Sequence, residues 1–278
     1  MMKIRRMTID DLPLGLRLTR QAGWNQTESD WQRFMNMEPD GCFVAELDGS
    51  SAGTTTTCIF DGVAWIAMVL VDKSVRGRGI GTGLLKHALD YLQERNIRTV
   101  RLDATPAGRP IYEKLGFVPE YELGRYEGVV RTPPPASSVS NATAQVVSDI
   151  IEFDHRITGT HRAKMLTRLF QEFPEFVRCV RRGSKMQGYV AARPGANAIQ
   201  IGPCIATASD GPSLLSDSFR RCVGKRVFID VPLDNVGAVR MAEAAQLTVQ
   251  RCFTRMCLGE RISDNVQAIW ASSGPEKG

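Results

Sequence analysis

Residues 65–85 of the chain read WIAMVLVDKSVRGRGIGTGLL. An apolar run is followed by a loop of arginines and glycines and then by a segment with helical periodicity, which predicts a buried strand, a basic loop and a helix. Glycines allow backbone N–H groups to turn toward a phosphate, and the start of the helix adds partial positive charge at the same point. Arg76 and Arg78 add guanidinium groups whose geometry suits phosphate oxygens. The stretch therefore predicts a site for a phosphorylated cofactor.

Two common phosphate-binding loops do not fit the spacing. The dinucleotide fingerprint G-x-G-x-x-G fails from Gly77, because its sixth position is Thr82. It fails from Gly79 as well, where the sixth position is Leu84. A Walker loop ends in G-K-[ST], and Lys86 has neither the preceding glycine nor the following hydroxyl residue.

The spacing that does fit is R-x-x-G-x-G at Arg76, Gly79 and Gly81, after an apolar strand. It resembles the acyl-CoA pyrophosphate loop of the GCN5-related N-acetyltransferases, the GNAT superfamily; a glycine-rich turn before an ordinary helix is the alternative. Residues 107–117, AGRPIYEKLGF, resemble the helix of that superfamily that leads into the next strand, with Gly116 closing the helix in a left-handed conformation. The resemblance covers roughly residues 2–130.

The resemblance implies an α/β (α+β) fold in which a mixed, mostly antiparallel sheet is flanked by helices. It also implies that the fourth strand splays from the fifth, and that acetyl-CoA binds there as acyl donor without a metal. The residues expected to bind the cofactor are Met68, Val69, Leu70, Val71, Arg76, Gly77, Arg78, Gly79, Ile80, Gly81, Thr82, Thr105, Arg109 and Tyr112.

Tyr112 is the expected catalytic acid, because its position matches the family tyrosine that lies near the CoA sulfur. The alternative for Tyr112 is a half-buried core aromatic. Thr105 departs from the family pattern, which often has an asparagine seven residues before the tyrosine. The sequence does not identify a general base.

Composition and cysteine usage narrow the classes of function. The net charge is +5, but 30 acidic residues are mixed with 35 basic ones, and no basic run with interleaved aromatics predicts a nucleic-acid face. Seven cysteines without a C-x-x-C and three histidines give no metal-site spacing. The N-terminus does not resemble a signal peptide, and the uncharged run 63–71 is too short to span a bilayer. A soluble, cytoplasmic protein that binds neither nucleic acid nor membrane is therefore expected.

Residues 131–145 contain three consecutive prolines followed by serines, which predicts a linker. It would separate a catalytic domain, residues 1–130, from a second domain, residues 146–278, that repeats the same plan more weakly. The second domain is expected to contain strands at 187–192, 198–205 and 249–258 and helices at 214–222 and 235–246.

The second domain resembles the degenerate C-terminal copy found in some tandem members of the superfamily. Where the cofactor loop should occur, residues 201–212 read IGPCIATASDGP, with no arginine and no paired glycines. The resemblance implies that this copy binds no acetyl-CoA. It is expected either to shape the acceptor pocket or to be a structural partner only.

These observations predict an acyl-CoA-dependent N-acyltransferase that moves acetyl from acetyl-CoA to a primary amine, favouring a small-molecule acceptor. Direct transfer in a ternary complex is expected, because no cysteine or serine lies in a recognisable nucleophile motif. The alternative is a non-catalytic acyl-CoA-binding sensor or scaffold. The sequence leaves the oligomeric state open.

Overall fold

The computed structural model describes residues 1–132, residue 134 and residues 139–278. Residues 133 and 135–138 of the predicted linker therefore lie outside the described residues. Throughout, the N-terminal copy means the elements up to residue 130, and the C-terminal copy means those from residue 139.

The N-terminal copy contains six strands and four α-helices among the described residues. The strands are β1 (Met2–Arg6), β2 (Cys42–Leu47), β3 (Ser50–Phe60), β4 (Val63–Val71), β5 (Thr99–Ala104) and β6 (Val118–Val129). The helices are α1 (Leu12–Ala22), α2 (Glu28–Met37), α3 (Ile80–Gln93) and α4 (Arg109–Glu113).

The C-terminal copy repeats this order and adds one strand. Its strands are β7 (Ser140–Asn141), β8 (Arg178–Arg182), β9 (Lys185–Arg193), β10 (Ile199–Ala206), β11 (Arg226–Pro232), β12 (Thr248–Gly259) and β13 (Ile269–Ala271). Its helices are α5 (Val147–Thr158), α6 (Ala163–Glu172), α7 (Gly211–Arg221) and α8 (Val236–Ala244). The strands and helices predicted for this copy are confirmed to within a few residues at their ends.

Helices cover both faces of the sheet in the N-terminal copy. Leu84, Leu85 and Ala88 form the apolar stripe of α3, and all three are fully buried on one face. On the other face Trp31 and Phe34 of α2 are buried in a separate cluster with α1 and β4. The predicted α/β class, with a mixed and mostly antiparallel sheet, is confirmed.

The two copies exchange their last long strand. The sheet order is β1-β2-β3-β4-β5-β12-β6-β11-β10-β9-β8-β7, so β12 lies between β5 and β6. Thr254 on β12 pairs with Ala104 on β5, and Tyr126 on β6 pairs with Ile229 on β11. The C-terminal copy therefore contributes a strand directly beside the predicted catalytic site.

The strand exchange crosses the predicted division of the chain into residues 1–130, 131–145 and 146–278. The sequence repeat falls on either side of this division, whereas the hydrogen-bond ladders of β6 and β12 cross it. Each copy needs a strand of the other to complete its sheet. The three boundaries therefore remain a proposal about where the sequence repeats. In the described chain, no helix is long and apolar enough to cross a membrane.

Candidate active site

The loop between β4 and α3 leaves backbone N–H groups without a capping partner in the described chain. Gly77 has φ 80° and Gly79 has φ 78°, a left-handed conformation that favours glycine. A Cβ at either position would meet nothing within 4 Å, so the space over the loop is open. Gly79 is the N-cap of α3, and no side chain of a described residue caps that helix. The first N–H groups of α3 are thus available to an anion.

Asp72 fixes the backbone that leads into this loop. Its carboxylate accepts hydrogen bonds from the backbone N–H of Ser74 at 3.0 Å and from the Ser74 hydroxyl at 2.7 Å, and it also pairs with Arg17. The pKa of Asp72 is lowered, first by the Ser74 N–H and then by its hydroxyl and by Arg17. The carboxylate therefore stays charged and holds the turn at 73–75 in place before the glycines.

A cavity of about 750 Å³ begins at this loop and continues between the two copies. Twelve of the fourteen predicted cofactor-binding residues line it. They are Met68, Val69, Leu70, Val71, Arg76, Gly77, Gly79, Ile80, Gly81, Thr82, Thr105 and Tyr112.

The other two predicted residues, Arg78 and Arg109, lie outside the cavity wall. Arg78 is exposed on the loop. Arg109 faces away, because its Nε donates to Glu113 at 2.7 Å and its Nη1 lies 3.5 Å from Glu122. Glu113 on α4 and Glu122 on β6 thus draw the guanidinium away from the cavity. In this structure Arg76 is therefore the loop arginine that borders the cavity.

Strand β4 contains a bulge where it borders the cavity. Its pairing with β3 shifts register around Thr55, and Met68 has φ 51°, which is unusual for a residue other than glycine. The Thr54 hydroxyl donates to the Met68 carbonyl at 2.9 Å, and the Thr55 hydroxyl donates to the Ala67 carbonyl at 3.3 Å. Threonines on β3 thus satisfy carbonyl groups at the bulge. Sequence reasoning missed this bulge, although the run of four threonines at 54–57 was its signal.

Strands β4 and β5 separate beside the bulge. Their parallel pairing covers only Val63–Trp65 against Thr99–Arg101. Beyond Trp65, the edge of β4 that faces β5 has no strand partner among the described residues, and residues 66–71 line the cavity there. Unpaired backbone donors at this edge can bind an extended amide-containing chain or a carbonyl oxygen.

Tyr112 lies in a desolvated position at the wall of this gap. Its ring packs edge-on against Phe117, with centroids 5.9 Å apart, and a Cβ at Gly108 would lie only 3.0 Å from its Cε2. Burial raises the pKa of Tyr112 to about 12, so the phenol is protonated at neutral pH. Thr105 also lines the cavity, and its Oγ1 accepts from the Gly108 N–H at 3.2 Å. A protonated tyrosine thus lines the cavity beside this gap.

The far end of the cavity contains residues that the sequence did not indicate. Arg125 on β6, Arg251 and Phe253 on β12, Gln26 after α1, and Glu276 after β13 all line it. The strand exchange explains the presence of Arg251 and Phe253, since it inserts β12 beside β5. The residues of this set come from distant parts of the sequence and match no motif, so sequence reasoning had no signal for them.

The corresponding gap in the C-terminal copy is filled by the chain itself. Strand β10 pairs with β11 only over 199–201, and β13 pairs with β10 beyond that point. The Nδ2 of Asn235 donates to the carbonyls of Gln267 and Ile269, at 3.1 and 3.0 Å. Trp270 packs so closely on α7 and α8 that a Cβ at Gly211 would meet its ring at 1.9 Å. The second copy therefore has no room for a cofactor in this gap.

Family models match both copies. The model of the Acetyltransferase (GNAT) family matches residues 9–117, and that of an Acetyltransferase (GNAT) domain matches residues 150–271. The chain belongs to the GNAT family. It is a tandem GNAT protein and an acyl-CoA-dependent N-acetyltransferase, of a family whose acyl donor is acetyl-CoA.

Two relatives of this GNAT protein span most of its length. It is 26% identical over 223 residues to the holothin acyltransferase of Pseudoalteromonas sp. (strain SANK 73390), covering 78% of this chain and 74% of the relative. It is 26% identical over 230 residues to the uncharacterized N-acetyltransferase YitH of Bacillus subtilis (strain 168), covering 79% of this chain and 78% of the relative.

Solved structures share the tandem GNAT fold. An acetyltransferase structure from Pyrococcus horikoshii superposes with a TM-score of 0.81 at 23% identity, covering 100% of this chain and 96% of that one. A tandem GNAT protein from the clavulanic acid biosynthesis pathway superposes with a TM-score of 0.64 at 14% identity, covering 95% and 100%. At these identities the likeness supports the fold alone.

Proposed function

We propose that this GNAT protein transfers acetyl from acetyl-CoA to the primary amine of a small molecule, within one ternary complex. The observation that carries the proposal is a single cavity that joins the open glycine loop of the N-terminal copy to side chains of the C-terminal copy. A donor with a diphosphate and an acceptor amine would then meet inside the protein.

The residues at the loop fit the diphosphate of acetyl-CoA. Positive φ at Gly77 and Gly79 and the uncapped start of α3 present N–H groups to an anion. The Arg76 Nε is held by the Val71 carbonyl at 3.1 Å, which leaves its other guanidinium nitrogens for phosphate oxygens. The unpaired backbone groups on the free edge of β4 are proposed to bind the amide-containing arm of CoA.

The transfer forms a C–N bond and breaks a C–S bond. The acceptor enters as an ammonium and loses one proton to solvent before attack. Its second proton is lost as the amide forms, and the departing sulfur gains one proton. Tyr112 is proposed to supply that proton and to regain one from the amine through solvent, because its protonated phenol borders the gap.

Direct transfer is supported by the composition of the cavity wall. Among the described residues that line the cavity, none is a cysteine or a serine. Cysteine and serine with an adjacent base are the usual nucleophiles of a covalent acyl-enzyme. The donor carbonyl is therefore proposed to react with the amine itself.

A small acceptor is supported by the way the C-terminal copy closes the cavity. Arg251 and Phe253 come from the exchanged strand β12, and Glu276 comes from the segment that follows β13. Glu276 is 3% exposed, so the C-terminal copy supplies buried as well as half-buried wall to the cavity, which favours a small acceptor.

The test is release of free CoA thiol from acetyl-CoA in the presence of a panel of primary amines, with calorimetry of acetyl-CoA alongside. Amine-dependent thiol release, lost when Gly79 is changed to Asp, is the expected result. Tight acetyl-CoA binding without turnover across amino acids, amino sugars, polyamines and peptides would instead indicate a sensor.

A further inference from the structure

Two charged side chains that line the cavity have hydrogen-bonding capacity that the described residues of the protein do not use. Glu276 and Arg251 both line the cavity, and both follow residue 248 in the sequence. One offers a carboxylate oxygen and the other a guanidinium. Their surroundings show which ligand chemistry they suit.

Glu276 is a buried carboxylate with one oxygen unused. Its Oε1 accepts from Arg193 at 2.7 Å and from Lys277 at 2.8 Å. Its Oε2 has no hydrogen-bond partner among the described residues. Burial raises the pKa of Glu276, but Lys277 and Arg193 outweigh it and lower the pKa to about 2, so the group is anionic at neutral pH. A buried anionic oxygen without a donor is costly, which favours a ligand that donates.

Gln26 repeats this pattern from the N-terminal copy. Its side chain is 4% exposed and lines the same cavity, and its Oε1 also has no partner among the described residues. Two residues of one cavity wall thus carry shielded acceptor oxygens without a partner among the described residues, which suits a ligand group with several N–H donors. A primary amine or ammonium is the simplest such group.

Arg251 is a guanidinium without a counterion. It is half-buried on β12, and no ion pair or hydrogen bond joins its side chain to another residue of the described chain. Burial, and secondly the nearby Arg125, lower the pKa of Arg251 and outweigh the carboxylates of Asp230 and Glu127, which raise it without pairing directly with it. The charge of Arg125 is itself matched, because it donates to Asp230 at 2.7 and 2.8 Å. The unmatched cation at this end of the cavity is therefore Arg251.

The position of Arg251 separates it from the phosphate loop. Arg251 pairs in register with Arg125, and β12 lies two strands from β4, across the gap where β4 and β5 part. The glycine loop follows β4 on the other side of that gap. Because two strands and the gap separate it laterally from the glycine loop, Arg251 is assigned to the acceptor rather than to the diphosphate of the donor.

We infer that the acceptor is an amino carboxylic acid, with its amine held by Glu276 and Gln26 and its carboxylate held by Arg251. This inference rests on the proposed function. An arginine offers two parallel N–H groups to a carboxylate, and an anionic oxygen complements an ammonium. Neutral amines and polyamines would leave the half-buried Arg251 beside Arg125 without a directly bonded anion.

The experiment compares kcat/KM for each of the twenty common amino acids, β-alanine and 4-aminobutyrate with kcat/KM for their methyl esters. The esters keep the amine and remove the carboxylate charge. The expected result is that at least one free acid exceeds its ester by about 10-fold or more, the size of a charged hydrogen bond. Arg251→Gln is expected to remove that preference.

Arg240→Gln is the matched control, because it removes the same charge from an exposed position on α8 outside the cavity. Glu276→Gln is a second variant and is expected to raise KM for the acceptor amine. Equal rates for acids and esters, a preference that survives Arg251→Gln, or no turnover of any amino acid would overturn the inference.

Calorimetry of acetyl-CoA distinguishes this failure from failure of the proposed function. If acetyl-CoA binds and neutral amines are acetylated as well as amino acids, only the acceptor class is wrong. If acetyl-CoA does not bind the wild-type protein, the proposed function itself fails.

Discussion

Asp103 on β5 and Arg255 on β12 form a two-point ion pair between the two copies. The Arg255 Nε and Nη2 donate to the two carboxylate oxygens of Asp103 at 2.8 and 2.9 Å, and both side chains are almost fully buried. Arg255 Nη1 also donates to the Tyr121 hydroxyl at 2.6 Å. The pair lies where the exchanged strand enters the N-terminal sheet, and Asp103 also lines the cavity.

Arg255→Met is expected to lower the free energy of unfolding by about 3–5 kcal/mol, because it leaves Asp103 as an unpaired buried charge. Urea unfolding measures the change. Adding Asp103→Leu should recover part of the loss, since the charge is then removed. The control is Arg226→Met, whose partially exposed pair with Glu127 should contribute about 0–1 kcal/mol. Equal losses at Arg226 and Arg255 would contradict the role of the buried pair.

Gly79→Asp is expected to weaken acetyl-CoA binding by at least about 100-fold while the protein stays folded. The new carboxylate would lie at the N-cap of α3 and would take the N–H groups proposed for the diphosphate. Calorimetry measures the affinity. Gly183→Asp is the control, with the same charge at φ 61° in an open turn between β8 and β9. Unchanged affinity in Gly79→Asp would remove the loop from the site.

Tyr112→Phe is expected to lower kcat by about 10²–10⁴-fold with little change in acetyl-CoA affinity, because it removes a proton donor and keeps the ring. Steady-state kinetics and calorimetry together measure the two effects. Tyr91→Phe is the control, since the Tyr91 hydroxyl donates to Glu38 at 2.9 Å away from the cavity. If kcat is the same in Tyr112→Phe and wild type, Tyr112 is a core aromatic only.

The pH dependence of kcat follows from the raised pKa of Tyr112. The protonated phenol is the proposed active form, and desolvation moves its pKa upward from 10 to about 12. Activity should therefore persist through pH 10 and decline only as the pH approaches 12. Profiles of kcat between pH 7 and 11 provide the measurement. A decline centred near pH 10 that disappears in Tyr112→Phe would show that the phenol is not desolvated.

The filled gap of the C-terminal copy predicts one acetyl-CoA per chain. Strand β13 and Trp270 occupy the position that the cavity occupies in the N-terminal copy. Calorimetric titration measures the stoichiometry, which is expected to be one, and the affinity of that one site is expected to fall in Gly79→Asp. Two bound molecules per chain would show that β13 does not close the second copy.

The helices and strands, and the loop proposed to bind the cofactor, could be predicted from local sequence. The strand, loop and helix around Arg76–Gly81 follow from apolar periodicity and from glycine positions, which are short-range properties. The left-handed Gly116, with φ 90°, was predicted in the same way. The placement of Arg109 was missed, because Glu122, one of the carboxylates it faces, belongs to the next strand.

The strand exchange could not be predicted from one sequence. Both copies have their helices and strands in the same order. The local sequence is therefore compatible with either β6 or β12 pairing with β5. Strands that are neighbours in sequence usually pair, which favours β6. The exchange is what brings Arg251 into the cavity. The side chains proposed to bind the acceptor could therefore not be predicted from the sequence alone.

The most direct test of the central claim is a crystal structure of the protein with CoA bound. The diphosphate is expected to bind the N–H groups at 77–82. The thiol is expected in the gap between β4 and β5, near Tyr112 and on the side of Arg251. A nucleotide bound elsewhere, or a thiol that points out of the cavity, would contradict this claim.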